Sequence, residues 1–283
     1  MNRLFTSTSF WALPESSAEI ILRELLMSVR GTNAEAIATG DSRMHPSLTD
    51  ATASQSKQTQ AGAPVDGTGA PARGGVAVIA VDGVLAQHSR YSWGGSRLTL
   101  GYDAIKTAIE AALADGSVKA ILLDIDSPGG AVAGCQELAD FIADAAKVKP
   151  MAAFTNSLMA SAAYWLGSAT GRVYCTETAE LGSIGVIMTL YDQSAMLEQW
   201  GVKVNVISSG SFKAAGHPAM ELSDEHRAYF QSTASAIHGV FRRSVATAMG
   251  LDEAKAEEWG DAQVFLGDAA RNAGLATAVV RGR

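Results

Sequence analysis

Cysteine is almost absent, with Cys135 and Cys175 the only two in 283 residues. Two thiols cannot build a disulfide framework, and a reducing compartment is the simpler setting. Neither lies in a CxxC or Cys/His pattern, so both read as small buried hydrophobes. Positive charge is also short. Lys and Arg total 22 against 29 Asp and Glu, a net charge of −7. That argues against nucleic acid as a partner, because phosphate binding needs a basic face. No apolar run approaches the roughly 18 residues that cross a bilayer. The first 13 residues lack the apolar centre and small-residue cleavage site of a secretory leader. A soluble, cytoplasmic protein without a membrane anchor is the expectation. The histidines are His45, His88, His217, His226 and His238, with no HExxH and no compelling ligand spacing. Walker A and G-x-G-x-x-G motifs are missing too, so neither metal nor cofactor is expected. No serine sits in a G-x-S-x-G elbow. The proximity of His217 to Lys213 nevertheless leaves a Ser-His-Asp arrangement open.

What the chain does have is enough apolar content, 47% against 18% charged, for a sizeable core. Residues 14–30 carry Ile20, Ile21, Leu25, Leu26 and Val29 at helical spacing, which predicts an N-terminal helix. Residues 31–75 are rich in Ala, Gly, Ser, Thr, Gln and Pro and contain no aromatic residue. They read as a flexible linker and set a domain boundary, leaving 76–283 as the main domain. From there strands and helices alternate. Strands are expected at 76–81, 118–125, 150–154, 173–175, 203–207 and 275–280. Helices are expected at 102–113, 131–146, from about 160, at 193–200, 223–249 and 267–273. Such alternation means an α/β layered fold.

Three segments bear on chemistry. In Ser157-Leu158-Met159-Ala160-Ser161-Ala162-Ala163 no bulky side chain adjoins Ser161. A serine at a helix start has backbone N–H groups nearby to face a developing oxyanion, and small neighbours admit a substrate backbone. Read alone, the run is equally a close-packed Ala-Ser helix. Leu181-Gly182-Ser183-Ile184-Gly185 frames a second serine, whose hydroxyl could orient an amine. Lys213 lies in a stretch without a carboxylate until Glu221. A lysine with no acid beside it loses no ion pair when neutral, and a neutral amine can take a serine proton. Its plain alternative is an exposed turn lysine. A fourth segment, Asp126-Ser127-Pro128-Gly129-Gly130, reads as a strand end and turn whose glycines can present N–H groups, or simply as a tight turn.

These motifs share an order, with 22 residues from Ser161 to Ser183 and 30 more to Lys213. In order and spacing the chain resembles the signal peptide peptidase A family of Ser-Lys peptidases, and within it the phage head maturation proteases. The carrying motifs are Asp126-Ser127-Pro128-Gly129-Gly130, Ala160-Ser161-Ala162-Ala163-Tyr164-Trp165, Gly182-Ser183-Ile184-Gly185-Val186 and Ser209-Gly210-Ser211-Phe212-Lys213. Gly260-Asp261-Ala262-Gln263-Val264-Phe265-Leu266-Gly267 is similar as well. The resemblance implies a Clp-protease/crotonase-like fold of stacked βα units. It implies Ser161 as nucleophile, Lys213 as general base and Ser183 as the group positioning the lysine. The N–H groups of Gly130 and Ala162 would form the oxyanion hole. It also implies a homo-oligomeric ring in which serine and lysine meet across subunits, and scaffold, capsid or portal proteins as substrates or partners in the prohead. One departure stands out: Ala162-Ala163 replaces the Gly-Gly common after the nucleophile.

Three functions are therefore weighed. The first is a serine endopeptidase of phage head maturation that processes scaffold or capsid proteins and itself. The second is a soluble enzyme that degrades hydrophobic peptides. The third is a capsid- or portal-associated structural protein without activity. A crotonase-type acyl-CoA enzyme lacks its carboxylates in the equivalent segments.

Overall fold

The described residues of the computed structural model are 75–280. The helix expected over 14–30, and all but the last residue of the expected linker at 31–75, lie outside them. The chain runs β1 (Val76–Asp82), β2 (Leu85–Ala86), β3 (Arg90–Tyr91), β4 (Arg97–Gly101), α1 (Tyr102–Ala114), β5 (Ala120–Asp126), α2 (Cys135–Val148), β6 (Met151–Thr155), β7 (Leu158–Ala160) and α3 (Ala162–Ser168). It continues through β8 (Val173–Cys175), β9 (Glu180–Gly182), α4 (Ser194–Gln199), α5 (Asp224–Met249), α6 (Ala256–Trp259), β10 (Val264–Leu266), α7 (Gly267–Asn272) and β11 (Ala278–Val279).

The main sheet has the order β1-β5-β6-β8-β11, with every pair parallel. A strand in the middle of such a sheet is buried on both faces, so it reads as a continuous apolar run. In β5, Ile121, Leu123 and Ile125 join Ile105 and Ile109 of α1 and Leu138 and Ile142 of α2 in the larger core cluster. Ala120 and Leu122 point the other way, beside Val76, Ala152, Phe154 and Tyr174. The buried residues of α1 are Tyr102, Ile105, Ile109 and Ala112, a stripe at helical spacing that seats the helix on the sheet. The fold is thus mixed α/β around a parallel sheet.

Two smaller sheets lie at the carboxyl ends of these strands. In one, β7 pairs parallel with β9, and β9 pairs antiparallel with β10. In the other, β4 lies between β2 and β3. Their short strands left no periodicity to read in the sequence. Several boundaries move as well. The helix expected from 131 begins only at Cys135, after Gly134 turns the chain at φ 87°. The long helix keeps its expected cap, with the Ser223 hydroxyl accepting from the His226 N–H at 3.2 Å.

One element is corrected. The strand expected at 203–207 does not form. Val202, Val204 and Val206 alternate as a strand would, but a strand needs a ladder partner, and none of the described strands pairs with this segment. It belongs to a long excursion between β9 and α5 on which Ile187, Trp200, Val204 and Ile207 are all exposed.

Candidate active site

The local structure of Ser161 follows from its neighbours. It stands between β7 and α3, at φ 52° and ψ −128°. That region is costly for any residue with a Cβ and persists only where surroundings enforce it. Two elements do so. The Ser161 N–H donates to the Gly182 carbonyl at 2.8 Å, and the Ser161 carbonyl accepts from the Trp165 N–H at 3.0 Å. Every residue of α3 is buried. Trp165 stacks on Phe241 of α5 at 4.4 Å between ring centroids, and its indole N–H donates to the Ser244 hydroxyl at 2.8 Å. Tyr164 donates its hydroxyl to the Leu275 carbonyl at 2.8 Å. The half-buried serine thus rides on a rigid strand-to-helix turn, a nucleophile-elbow geometry without a G-x-S-x-G sequence.

The glycine turn after β5 packs directly against it. A Cβ on Gly129 would lie 2.7 Å from the Ser161 Cβ and 2.8 Å from the Ala162 nitrogen, so only glycine fits there, at φ 95°. The turn is held by β2. The Leu85 N–H donates to the Gly129 carbonyl, and the Ala131 N–H donates to the Leu85 carbonyl, each at 2.9 Å. These two bonds bracket Gly130 and leave its own N–H without an acceptor among the described residues. Ala162, first in α3, likewise has no acceptor for its N–H among the described residues. Buried Ser127 braces the turn, donating to the Gly83 carbonyl at 2.6 Å and accepting from the Gly129 N–H at 3.1 Å. Tyr102 fixes the far side by donating to the Ala131 carbonyl at 2.6 Å. Burial drives the Tyr102 phenol well above its ordinary range, so it stays a neutral donor. The turn and the start of α3 thus leave two N–H groups without acceptors among the described residues, and donors of this kind can stabilise an oxyanion when they converge on it.

Ser183 occupies the neighbouring strand end. In the β7–β9 register Met159 faces Leu181 and Ala160 faces Gly182. One step further on each strand come Ser161 and Ser183. Ser183 also has φ 52°, and its N–H donates to the Gln263 carbonyl at 2.7 Å. Ala262, at φ 59°, donates its N–H to the Ile184 carbonyl at 3.1 Å. Ser161, Ser183 and Ala262 are the non-glycine residues of positive φ among those described, and these bonds join them into one cluster.

Lys213 is not brought to this cluster. It is exposed on the excursion between β9 and α5, and its side chain makes no hydrogen bond or ion pair with the described residues. Its neighbour Phe212 rests on His226 and Tyr229 of α5, with centroids 5.3 and 5.1 Å apart. Phe241, under Trp165, is 12 residues further along the same helix, roughly 18 Å at the α-helical rise. His217 is exposed on the same excursion, its Nδ1 accepting from the Ala219 N–H at 3.1 Å. No Ser-His-Asp arrangement assembles around Ser161 among the described residues. No cluster of His, Cys, Asp and Glu there could hold a metal ion. Burial pushes the thiols of Cys135 and Cys175 up to about 12 and about 11, which removes both as nucleophiles near neutral pH.

The close approach of Gly129 to Ser161 and the grip of residues 260–263 on Ser183 go beyond what the sequence motifs predict. The two adjacent glycines of Asp126-Ser127-Pro128-Gly129-Gly130 were the available signal for the first. Nothing in the sequence marks Ala262 as having a positive φ.

Residues 143–281 match the family described as Peptidase family S49. The chain is 39% identical over 206 residues to the Capsid assembly protease C of Escherichia phage lambda, covering 73% of this chain and 46% of that protein. It is 37% identical over 206 residues to the Head-tail preconnector protein GP5 of Enterobacteria phage P21, covering 73% of this chain and 41% of that one. A Putative signal peptide peptidase SppA of Enterococcus faecium is 29% identical over 202 residues, 70% of this chain and 57% of that protein. The chain therefore spans less than half the length of the two phage relatives.

Proposed function

We propose, from the premise that the chain belongs to peptidase family S49, that it is a Ser-Lys endopeptidase acting in phage head assembly. The observation that carries the reading is the strained Ser161, packed against Gly129 and flanked by the free N–H groups of Gly130 and Ala162. Ser161 Oγ attacks the scissile carbonyl carbon while its proton passes to Lys213 Nζ. The resulting oxyanion accepts from Gly130 and Ala162. Lys213 Nζ then gives the proton to the leaving amine, takes one from the attacking water, and returns it to Ser161 Oγ as the acyl group leaves as a carboxylic acid. Ser183 positions the lysine.

The exposed excursion carries Lys213 away from its own Ser161, and it presents Ile187 and Ile207 at 90% and 96% exposure. Exposed apolar area on this scale fits burial against another copy of the chain. The active site is then completed by a neighbour in a homo-oligomeric ring. The Clp-protease/crotonase-like fold belongs to the same reading, supported by the parallel sheet and the strand-to-helix serine. So does the division into residues 1–30, 31–75 and 76–283. The name of the lambda relative, a capsid assembly protease, supports capsid-related substrates. Scaffold or portal proteins as substrates or partners, and the cytoplasm and then the prohead as the setting, belong to the same reading. None of the described helices is long and apolar enough to cross a membrane.

Incubating the protein with its cognate capsid and scaffold proteins tests this. Specific cleavage that disappears in Ser161→Ala supports it. Cleavage that survives Ser161→Ala refutes it.

A further inference from the structure

The turn that holds Ser183 is itself held from behind. His238, half-buried on α5, places its Nε2 2.7 Å from the Gly260 carbonyl oxygen. A carbonyl only accepts, so Nε2 carries the hydrogen. Gly260 is buried and also donates its N–H to the Ala256 carbonyl at 2.7 Å. A Cβ there would meet the Ala256 carbonyl at 2.8 Å and Arg242 Cγ at 3.3 Å, so the residue is clamped between α5 and α6. Two residues later the turn grips the site. The Ala262 N–H holds the Ile184 carbonyl, and the Gln263 carbonyl holds the Ser183 N–H. A Cβ on Gly185 would lie 2.6 Å from the Ala262 methyl, which shows how closely the two segments approach. Asp261, Ala262 and Gln263 are all exposed, so core packing does not hold them.

We infer that His238 is a positioning residue for the proposed reaction. Its hydrogen bond to Gly260 fixes the turn at residues 260–263 and, through that turn, the strained backbone that aims the Ser183 hydroxyl. The inference rests on the reading of Ser161 and Lys213 as the reacting pair. His238 lies well inside α5, so substituting it leaves both helix caps untouched.

The test is peptide hydrolysis by the assembled full-length protein. It compares wild type with His238→Leu, His238→Gln, Ser183→Ala and the double variant His238→Leu/Ser183→Ala, and includes Ser161→Ala as a separate arm. His238→Leu should lower kcat about tenfold, the worth of one ordinary hydrogen bond, with KM little changed. His238→Gln, whose amide N–H can reach the same carbonyl, should recover most of that loss. On the Ser183→Ala background His238→Leu should cost nothing further, because the group it acts through is gone. An unchanged kcat in His238→Leu overturns the inference. So does a full additional loss in the double variant, or a His238→Gln enzyme as impaired as His238→Leu. If His238→Leu does not fold, His238→Asn takes its place with the same expectations, since its shorter amide stops short of Gly260. Activity retained by Ser161→Ala would instead refute the Ser-Lys reading, which keeps the two failures distinct.

Discussion

Ser161 and Ser183 end adjacent parallel strands, each at φ 52°, and the Ser161 N–H is bonded to the carbonyl of Gly182, the residue before Ser183. Two serines in a conformation that L-residues rarely adopt, the first fastened to the second's strand and the second to the Gln263 carbonyl, form one preorganised unit. Strain of this kind costs of the order of 1–3 kcal/mol per residue and is retained where a site needs it.

Gly129 sets the clearance of that unit. Gly129→Ala would place a methyl 2.7 Å from the Ser161 Cβ and force an L-residue to φ 95°. A displacement of the serine by even an ångström carries a loss of about 100-fold. The variant should therefore lose at least that much in kcat/KM while its circular dichroism stays native. Wild-type kinetics would show that the contact does not constrain Ser161.

Subunit mixing tests where the lysine comes from. Ser161→Ala and Lys213→Ala should each be inactive alone. Unfolded, mixed and reassembled at equal amounts, they should regain up to about a quarter of wild-type activity if each site takes serine and lysine from different copies in a closed ring. No recovery from a properly assembled mixture would place both groups in one chain.

The proposed base works only as a neutral amine. Acylation measured by single-turnover kinetics should therefore rise with pH. A rate flat from pH 5 to 10, with chemistry limiting, would remove Lys213 from the reaction.

Asp124 offers a check on the fold that is independent of catalysis. Burial, and then the charges of Asp126 and Asp82, push its carboxyl up to about 6 from 3.8. The folded state therefore holds this proton more tightly than the unfolded chain. The group's contribution is most favourable below pH 4 and is lost as pH rises through about 6. Asp124→Asn should raise Tm at pH 8, by an amount equivalent to a few kcal/mol at most, and leave it unchanged near pH 4. An equal gain at both values would mean that packing, not ionisation, is responsible.

The layered α/β order was legible because long apolar runs such as 120–125 and amphipathic stretches such as 102–114 bury whole faces. Glycine pairs and small-residue runs marked the turns around Ser161 and Gly130 for the same reason, since close approach demands small residues. The failures have a common cause. Residues 202–207 alternate like a strand but find no partner within the described chain, so periodicity misled where tertiary pairing was missing. The short strands β7, β9 and β10 owe their existence to that pairing and have no pattern of their own. The positive φ of Ser161, Ser183 and Ala262 is imposed by hydrogen bonds from distant segments, which no local sequence signal records. Lys213 stood out by its carboxylate-free surroundings and by the resemblance in motif order, neither of which records where the excursion places it.

The most direct measurement is labelling of the assembled protein with a fluorophosphonate, followed by peptide mass spectrometry. The adduct should map to Ser161, should vanish in Ser161→Ala, and should form far more slowly in Lys213→Ala. No label on Ser161 in a folded, assembled oligomer, or equal labelling without Lys213, would contradict a serine nucleophile activated by that lysine.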